Sequence, residues 1–287
     1  NFLMNKDIQI FINKQARLIT SFLYEYLDEN FKNTDFLKAS RYAIGPEGHR
    51  YRSILSLEIY KSLGGNAKDF IKALVGIEYV HHSTLIFDDL PSMDNSKMRK
   101  GKSTVHLAFG ESTAILAALY LLEKGRLLLY ESASEHLRGE SLDEFQKNVC
   151  NGLIELLSGQ EADLKTQRTP EELLTMMKNK NRMFYLACVI PSYLMKKKYF
   201  KEFNYLGNKM SMGYQFLDDL RDLQPSSITG KPKNQDKGKN TSLSKFGEKR
   251  VRKKLENTKQ DIFSKLPNIK RKKEIHNLIE FILSHES

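Results

Sequence analysis

Two short acidic strings hold the side chains of this sequence that are best suited to chemistry. One runs from Asp88 to Asp94 and the other from Asp218 to Asp222, and each opens with two adjacent aspartates. Strongly apolar residues precede both strings and would carry them towards the interior, where carboxylates without a counter-ion are costly. Oxygen ligands without a nearby cluster of cysteine or histidine predict a hard cation, and Mg²⁺ fits best.

The second string gathers polar groups on one face of a helix. Asp218 and Asp222 are four residues apart, and Gln215 lies one turn earlier, so all three share a stripe. Like charges at this spacing repel each other, which again favours a bound cation.

The first string needs a bend before it can act as one group. Asp88 and Asp94 are six residues apart and diverge on an ideal helix, but Pro91 between them supplies a reason for a local distortion. Basic residues follow both strings: Arg99, Lys100 and Lys102 after the first, and Lys231, Lys237 and Lys239 after the second. Carboxylates followed by cations suit a metal-bridged diphosphate, because the metal ion cancels part of the phosphate charge and Lys or Arg cancels the rest.

The bulk composition describes an ordinary globular protein with an affinity for anions. Of the 287 residues, 46 are Lys or Arg and 35 are Asp or Glu, which gives a formal net charge of +11. That excess suits diphosphates, a membrane surface or nucleic acid. No recognised nucleic-acid motif accompanies the basic helices, so we do not expect nucleic acid as a partner.

The cysteine content and the apolar runs indicate a cytoplasmic protein. Cys150 and Cys188 lie in apolar stretches without CxxC spacing, which is typical of core thiols in a reducing compartment. The longest apolar runs, residues 113–122 and 183–195, are too short to cross a bilayer. Residues 1–15 lack the layout of a signal peptide. We therefore expect a protein that is not integral to a membrane.

The elements that position the two strings follow a helical pattern almost throughout. Apolar residues recur at helical spacing, and no proline occurs between Ser92 and Thr169, which leaves room for several long helices. The segment from 225 to 240 is rich in Pro, Gly, Ser and Asn and predicts a loop. The pattern predicts an all-α fold, and we expect one domain over residues 1–287.

At its acidic strings the sequence resembles the trans-prenyl diphosphate synthases, the family of the farnesyl and geranylgeranyl diphosphate synthases. The string DDLPSMD at 88–94, followed by RKGK at 99–102, is similar to the first aspartate-rich motif of the family, and GYQFLDD at 213–219 is similar to the second. The resemblance runs from about residue 45 to about residue 241. It implies the isoprenoid synthase fold, a bundle of long helices around a central cavity, usually paired as a homodimer.

The resemblance also implies a role for each matching residue. The residues implied to hold three Mg²⁺ ions are Asp88, Asp94, Asp218 and Asp222, with Asp89 and Asp219 in support. Those that match the grip on the allylic diphosphate are Arg99, Lys180, Lys231 and Lys239. Those that match the pocket for isopentenyl diphosphate are His49, Arg52, His81 and Lys100, and Gln215 matches a position near the reacting carbons.

Several positions bear on substrate affinity and product length. His49 stands where the family keeps a lysine, Lys100 replaces an arginine, and Asn181 replaces a threonine, which puts affinity for isopentenyl diphosphate in question. In this family the residues four and five before the first aspartate largely set product length. Here they are Thr84 and Ser83, and their small size favours geranylgeranyl diphosphate, with farnesyl diphosphate next.

The resemblance implies a Mg²⁺-dependent, head-to-tail condensation of isopentenyl diphosphate with an allylic diphosphate. Two alternatives remain. A terpene cyclase shares the first motif but usually carries an Asn/Ser/Glu metal motif in the later helix, where this chain has DDLRD. A non-catalytic regulatory subunit of a heteromeric prenyl synthase fits the substitutions above, but such a subunit is expected to lose the metal aspartates, which are intact here.

Overall fold

Helices make up nearly all of the regular structure in the computed structural model, which describes residues 2–46, 48–165, 168–223 and 241–284. In those ranges the strands form a single short ribbon. The all-α fold expected from the sequence is therefore confirmed. Contacts divide the chain into two compact units, one of Asn1–Leu57 and Asn66–Glu135 and one of Glu58–Gly65 and His136–Ser287. The single domain stays a prediction.

The first unit contains the first acidic string. Its elements are α1 (Phe2–Glu25), α2 (Asp35–Ala43), the start of α3 (Tyr51–Ser62), α4 (Ile71–Asp88), β1 (Met98–Arg99), β2 (Lys102–Ser103), α5 (Val105–Phe109) and α6 (Glu111–His136), with 3-10 turns at Glu29–Phe31 and Ala67–Phe70. Most of α4 is buried, as expected for a helix that is apolar on several sides.

A glycine pair allows α4 and α6 to approach closely. A Cβ on Gly76 would lie 2.8 Å from the carbonyl oxygen of Gly125, and a Cβ on Gly125 would lie 2.9 Å from that of Gly76. Any larger side chain would force the two backbones apart. The first acidic string begins at Asp88, the last residue of α4, so this contact helps to fix the helix from which the string starts.

The second unit contains the second acidic string. Its helices are α7 (Glu140–Leu164), α8 (Pro170–Lys180), α9 (Arg182–Leu194), α10 (Phe200–Arg221), α11 (Ser242–Phe246), α12 (Glu248–Lys265) and α13 (Lys272–Ile282). All of α9 is buried, and α10, which bears the acidic string, packs against α8, α9 and α12.

Local signals set the ends of the helices beside the site. Thr169 and Glu172 form a capping box at the start of α8, with Pro170 in the first turn, an arrangement that satisfies the free N–H groups there. The guanidinium of Arg168 donates to the carbonyl oxygens of Ala162 (2.6 Å) and Asp163 (2.5 Å) at the end of α7. Both ends are thereby fixed.

None of the helices in the described ranges is long and apolar enough to span a membrane.

Candidate active site

The first acidic string forms a turn that folds back on the end of α4. The helix ends at Asp88, three residues before Pro91, and the chain then reverses. The N–H of Asp94 donates to the carbonyl oxygen of Asp88 at 2.9 Å. Asp88 is half-buried and Asp94 is exposed. The turn therefore brings together two aspartates that an ideal helix would separate.

The second aspartate of the pair has a different environment. Asp89 is buried and accepts two hydrogen bonds from the Arg99 guanidinium, from Nε at 2.6 Å and from Nη2 at 2.7 Å. Such a bidentate pair is among the stronger charged contacts in proteins. Arg99 lies on β1, which pairs with β2 through a two-residue turn at Lys100 and Gly101, both with positive φ. This is the backbone geometry that favours a tight hairpin.

Two histidines on α4 are held by arginines. Arg52 Nη1 donates to His81 Nε2 at 3.1 Å, and Arg50 Nη1 donates to His82 Nε2 at 2.9 Å. Burial and the nearby arginines lower the pKa of both histidines well below its usual value. Both rings are therefore neutral at pH 7 and accept hydrogen bonds. Glu78, 3.5 Å from Arg50, supplies a buried negative charge.

Lys100 lies in a strongly basic neighbourhood. A Cβ on Gly48 would lie 2.7 Å from Lys100 Nζ, so the ammonium lies directly against the backbone of Gly48 and would have to shift for a larger residue. The residue as a whole is exposed, but its ammonium is poorly hydrated and has Arg50 and Arg99 nearby. Loss of hydration and these charges lower the pKa of Lys100 to about 8. His49 stacks on the Tyr51 ring, with the ring centres 4.8 Å apart.

The second acidic string also pairs a partly exposed aspartate with a buried one. Asp218 and Asp222 are half-buried, whereas Asp219 is only 4% exposed. Its carboxylate accepts bonds from the backbone N–H of Ser242 at 2.9 Å and from the amide of Gln215 at 2.8 Å. Burial raises the pKa of Asp219 to about 6, although these hydrogen bonds oppose the rise.

Lys180, at the end of α8, makes an ion pair with Asp163 of α7. Asp163 is 7% exposed, and it also lies 3.7 Å from the Arg168 guanidinium. Gly159 lets the two helices meet, because a Cβ there would lie 2.4 Å from the backbone nitrogen of Lys180. Lys180 is thus fixed in place by an acidic partner.

The remaining site residues from the sequence fall in two groups. Lys231 and Lys239, like Lys237, lie outside the described residues. Ser83 is buried and Thr84 half-buried, and their hydroxyls donate to the carbonyl oxygens of Val80 at 2.7 Å and His81 at 2.8 Å. Both hydroxyls are therefore satisfied within α4.

Sequence reasoning did not single out four residues that organise the site: Arg50, Asp163, Asn181 as a contact residue, and Ser242. Asp163 follows the apolar face of α7, with Gln160 one turn earlier, the same pattern of polar groups after an apolar helix that drew attention to Gln215. That signal could have found it. The contacts of Arg50 and Ser242 depend on tertiary folding, and no spacing in the sequence predicts them.

The carboxylates of the two strings fit a hard metal ion that takes few ligands from the protein. Among the described residues, no group of three or more His, Cys, Asp and Glu side chains is arranged to enclose a metal ion. Mg²⁺ commonly binds one or two carboxylates and completes its shell with water and phosphate oxygens. The less buried aspartates, Asp88 with Asp94 and Asp218 with Asp222, are therefore the candidate ligands.

An all-helical chain with two such strings and adjacent cations has the features of an enzyme that acts on diphosphates. The family model described as Polyprenyl synthetase matches residues 33–281. The chain therefore belongs to the polyprenyl synthetase family, and the resemblance seen in the motifs is confirmed. A geranylgeranyl diphosphate synthase of Pseudescherichia vulneris is 31% identical over 227 residues, which cover 76% of this chain and 73% of the relative.

Solved structures show the same fold. The geranylgeranyl pyrophosphate synthetase of Pyrococcus horikoshii superposes with a TM-score of 0.80 at 24% identity, over 98% of this chain and 99% of the other. A geranyltransferase of Helicobacter pylori, solved in complex with magnesium and isoprenyl diphosphate, gives a TM-score of 0.72 at 23% identity, over 95% and 94% of the two chains. At these identities the likeness extends to the fold alone.

Proposed function

We propose that this member of the polyprenyl synthetase family condenses isopentenyl diphosphate with an allylic diphosphate, head to tail, in a reaction that depends on Mg²⁺. The observation that carries the proposal is the shared construction of the two acidic strings. In each, the second aspartate is buried and hydrogen-bonded, whereas the first is only half-buried. Each string thus combines a fixed anchor with a carboxylate at the surface of its unit.

Three Mg²⁺ ions per active site would be held by these outer carboxylates. Asp88 and Asp94 would bind two of them, and Asp218, helped by Asp222, would bind the third. When bound, the ions stabilise the negative charge that develops on the leaving diphosphate. Asp89 accepts a hydrogen bond from Arg99, and Asp219 accepts one from Ser242. These contacts would hold the neighbouring metal-binding aspartates in place. The Helicobacter pylori geranyltransferase was solved with magnesium and isoprenyl diphosphate, which supports magnesium as the metal.

The basic side chains would divide between the two substrates. Arg99, Lys180, Lys231 and Lys239 would bind the allylic diphosphate. Arg52, His49, His81 and Lys100 would bind isopentenyl diphosphate. Arg52 is oriented by its hydrogen bond to neutral His81, so its remaining N–H groups can meet phosphate oxygens.

The chemistry requires charge stabilisation more than proton transfer by a side chain. The carbon–oxygen bond of the allylic diphosphate ionises, and the cations around the leaving group stabilise the charge that it gains. The double bond of isopentenyl diphosphate then attacks the allylic cation, and the intermediate loses a proton. His81 and His82 each accept a hydrogen bond from an arginine, so neither ring nitrogen that accepts is available to take this proton. We therefore propose the released diphosphate as the base.

Product length would be set on α4, at Ser83 and Thr84. Both side chains are small and their hydroxyls are satisfied within the helix, so neither blocks a growing apolar chain. Tyr79 lies one turn before Ser83 on α4 and is fully buried. Its ring would limit the length of the chain beyond Ser83. We propose geranylgeranyl diphosphate as the product, with farnesyl diphosphate as the alternative.

A homodimer would cover apolar faces that each unit leaves exposed. Along α6 the exposed apolar residues are Leu116, Leu119, Leu127 and Tyr130, and along α7 they are Ile154 and Leu157. Within each set the residues recur at helical spacing, so they lie on one side of their helix, and exposed apolar surface marks interaction sites when it is contiguous. Neither cysteine forms a disulfide within the described residues, and Cys188 is buried, which suits the cytoplasmic location that we propose.

The proposal can be tested by product analysis. The protein is incubated with isopentenyl diphosphate and, in turn, dimethylallyl, geranyl or farnesyl diphosphate, with Mg²⁺ or with a chelator, and products are identified by mass. We expect a prenyl diphosphate longer by one or more isoprene units, only in the presence of metal. A cyclised hydrocarbon would indicate a terpene cyclase, and the absence of any product would favour a regulatory subunit.

A further inference from the structure

A continuous line of hydrogen bonds connects four polar residues behind the second acidic string. Asn181 Nδ2 donates to Gln215 Oε1 at 2.7 Å, and Gln215 Nε2 donates to Asp219 Oδ1 at 2.8 Å. From the other side, Ser242 donates to Asp219 Oδ2 through its backbone N–H at 2.9 Å and its hydroxyl at 2.5 Å. All four residues belong to the second unit.

The line has one direction. The ionised carboxylate of Asp219 can only accept, so Gln215 turns its NH₂ towards Asp219 and its carbonyl oxygen towards Asn181, which donates. The Asp219 carboxylate, an acceptor when ionised, receives donors on both oxygens. Gln215, Asp219 and Ser242 are each at most 8% exposed, so water does not replace a lost partner cheaply.

Two of these residues were not assigned any role by the motifs. Asn181 is the cap residue between α8 and α9, and its own backbone carbonyl accepts from the Ser211 hydroxyl at 2.9 Å. Ser242 begins α11, after the cap residue Thr241, whose side chain bonds to the backbone N–H of Ser244. Both are therefore fixed by their own helices before they contact Gln215 and Asp219.

We infer that Asn181 and Ser242 are positioning residues for catalysis, which hold Gln215 in one amide orientation and fix the last turn of α10 through Asp219. The inference rests on the proposed function, because its consequence is the placement of Gln215 and of the Asp218 and Asp222 carboxylates on that turn. Groups that act on a substrate need supporting contacts that hold them to within a fraction of an ångström.

The direction of the line gives a test by reversal. In Asn181→Asp the new carboxylate accepts from Gln215 Nε2, which turns the Gln215 carbonyl oxygen against Asp219. In Asp219→Asn the amides of Gln215 and Asn181 can both turn over, so every bond is kept but Gln215 is held in the opposite orientation. The double variant also satisfies every bond, with the two bonds of Gln215 reversed and those of Ser242 unchanged. Gln215 donates to the carboxylate at position 181, the amide at position 219 donates to the Gln215 carbonyl oxygen, and Ser242 still donates to the amide oxygen at position 219.

Two quantities are measured on the whole chain: thermal unfolding without metal, and kcat and KM with Mg²⁺ and both diphosphates. We expect Asn181→Asp to lower the midpoint of unfolding and to lower kcat by on the order of tenfold, the cost of a mismatched buried hydrogen bond. We expect Asp219→Asn to lower kcat, because Gln215 is reversed, with little change in the midpoint. We expect the double variant to recover the midpoint but not kcat, because its bonds are all satisfied while Gln215 stays reversed. A double variant that unfolds as early as Asn181→Asp, or one that regains the kcat of wild type, would overturn the inference.

Controls separate positioning from folding and from charge. Asn148→Asp makes the same exchange on α7, where Asn148 Nδ2 donates to the Tyr185 hydroxyl at 3.1 Å, and it should show no coupling to Asp219→Asn. If Asn181→Asp does not fold, Ser242→Ala and Ser242→Thr replace it. We expect Ala to lower kcat several-fold and Thr, which keeps the hydroxyl, to restore it, with Ser244→Ala unchanged.

The outcomes also distinguish this inference from the proposed function. If wild type forms no prenyl product, the proposed function fails, and the positioning role fails with it, even when the unfolding data still show coupling. If wild type is active and coupling appears only in the unfolding midpoint, with kcat unchanged per folded molecule, the four residues are structural and the inference is wrong.

Discussion

The two acidic strings have the same sequence pattern but differ in what holds their buried aspartate. Asp89, in the first unit, is bound by the guanidinium of Arg99 through two charged hydrogen bonds. Asp219, in the second unit, is bound by neutral donors, the amide of Gln215 and the N–H and hydroxyl of Ser242. One anchor is an ion pair, and the other is a neutral network.

The difference appears in the electrostatics of each string. Burial raises the pKa of Asp219 to about 6, because its hydrogen-bond donors among the described residues are neutral and offset the lost hydration only in part. At the first string, by contrast, Arg99 supplies a full charge next to Asp89. The buried aspartate at a helix end can therefore be held either by an ion pair or by neutral hydrogen-bond donors, but only the ion pair cancels its charge.

The largest effect is expected when the outer aspartates are removed. Asp88→Ala and Asp218→Ala each lose a proposed metal ligand, so we expect kcat/KM to fall by about 1,000-fold, or about 4 kcal/mol. Neither change removes a buried anchor, so the unfolding midpoint should stay within a few degrees. Steady-state kinetics and calorimetry on the same samples check both points. Full turnover by either variant would refute the metal roles.

The buried aspartates should behave in the opposite way, and should differ from each other. Asp89→Asn leaves the partly buried Arg99 without its anion, so we expect a loss of about 2 kcal/mol in the free energy of unfolding. Asp219→Asn removes a charge that its surroundings do not neutralise, and should cost less. Chemical denaturation without metal measures both. Equal losses would contradict the contrast between an ionic and a neutral anchor.

The sequence was sufficient to predict the helices and the two strings, because both depend on local spacing. Asp218 and Asp222 share a face whatever the tertiary structure. The spacing does not predict which aspartate of each adjacent pair is buried and hydrogen-bonded and which is a candidate metal ligand. Asp89 and Asp219 differ in their partners, Arg99 ten residues later and Ser242 twenty-three residues later, and only folding determines those contacts.

Asn181 illustrates the same limit from another side. As a departure from the family pattern it suggested weaker substrate binding, but the structure gives it a specific partner in Gln215. A substitution that lacks a rationale in the sequence can thus be matched by a contact that forms only when two helices meet. Lys180, next to it, is likewise paired with Asp163 of another helix.

The product-length prediction can be sharpened by matched positions in the two units. Ser83 lies five residues before Asp88, and Gly213 lies five before Asp218. Ser83→Phe should fill the space beside α4 and shift the product towards farnesyl diphosphate, because an overpacked apolar pocket rejects a longer chain. Gly213→Ala, whose Cβ would contact Leu283 at 3.3 Å, should leave the product unchanged. Mass analysis of both variants decides, and an unchanged distribution in Ser83→Phe would dismiss the role of α4.

The smallest expected effect concerns pH at the first string. Lost hydration and neighbouring arginines lower the pKa of Lys100 to about 8, so this side chain loses its charge as the pH rises through 8. The KM for isopentenyl diphosphate should then rise about fivefold between about pH 7 and about pH 9.5, since one cation–phosphate contact is lost. Lys100→Arg, which stays charged, should keep KM constant over that range. Parallel pH profiles for the two proteins would exclude Lys100 from the diphosphate site.

The central claim, that the two strings act together in a metal-dependent condensation, is tested most directly by a single-turnover reaction. Wild-type protein in excess is mixed with farnesyl diphosphate and isopentenyl diphosphate, and substrates, product and inorganic diphosphate are quantified over time with and without Mg²⁺. We expect geranylgeranyl diphosphate and inorganic diphosphate to appear in equal amounts, with metal only. Release of inorganic diphosphate without a matching prenyl product, or both substrates persisting in the presence of Mg²⁺, would contradict the claim.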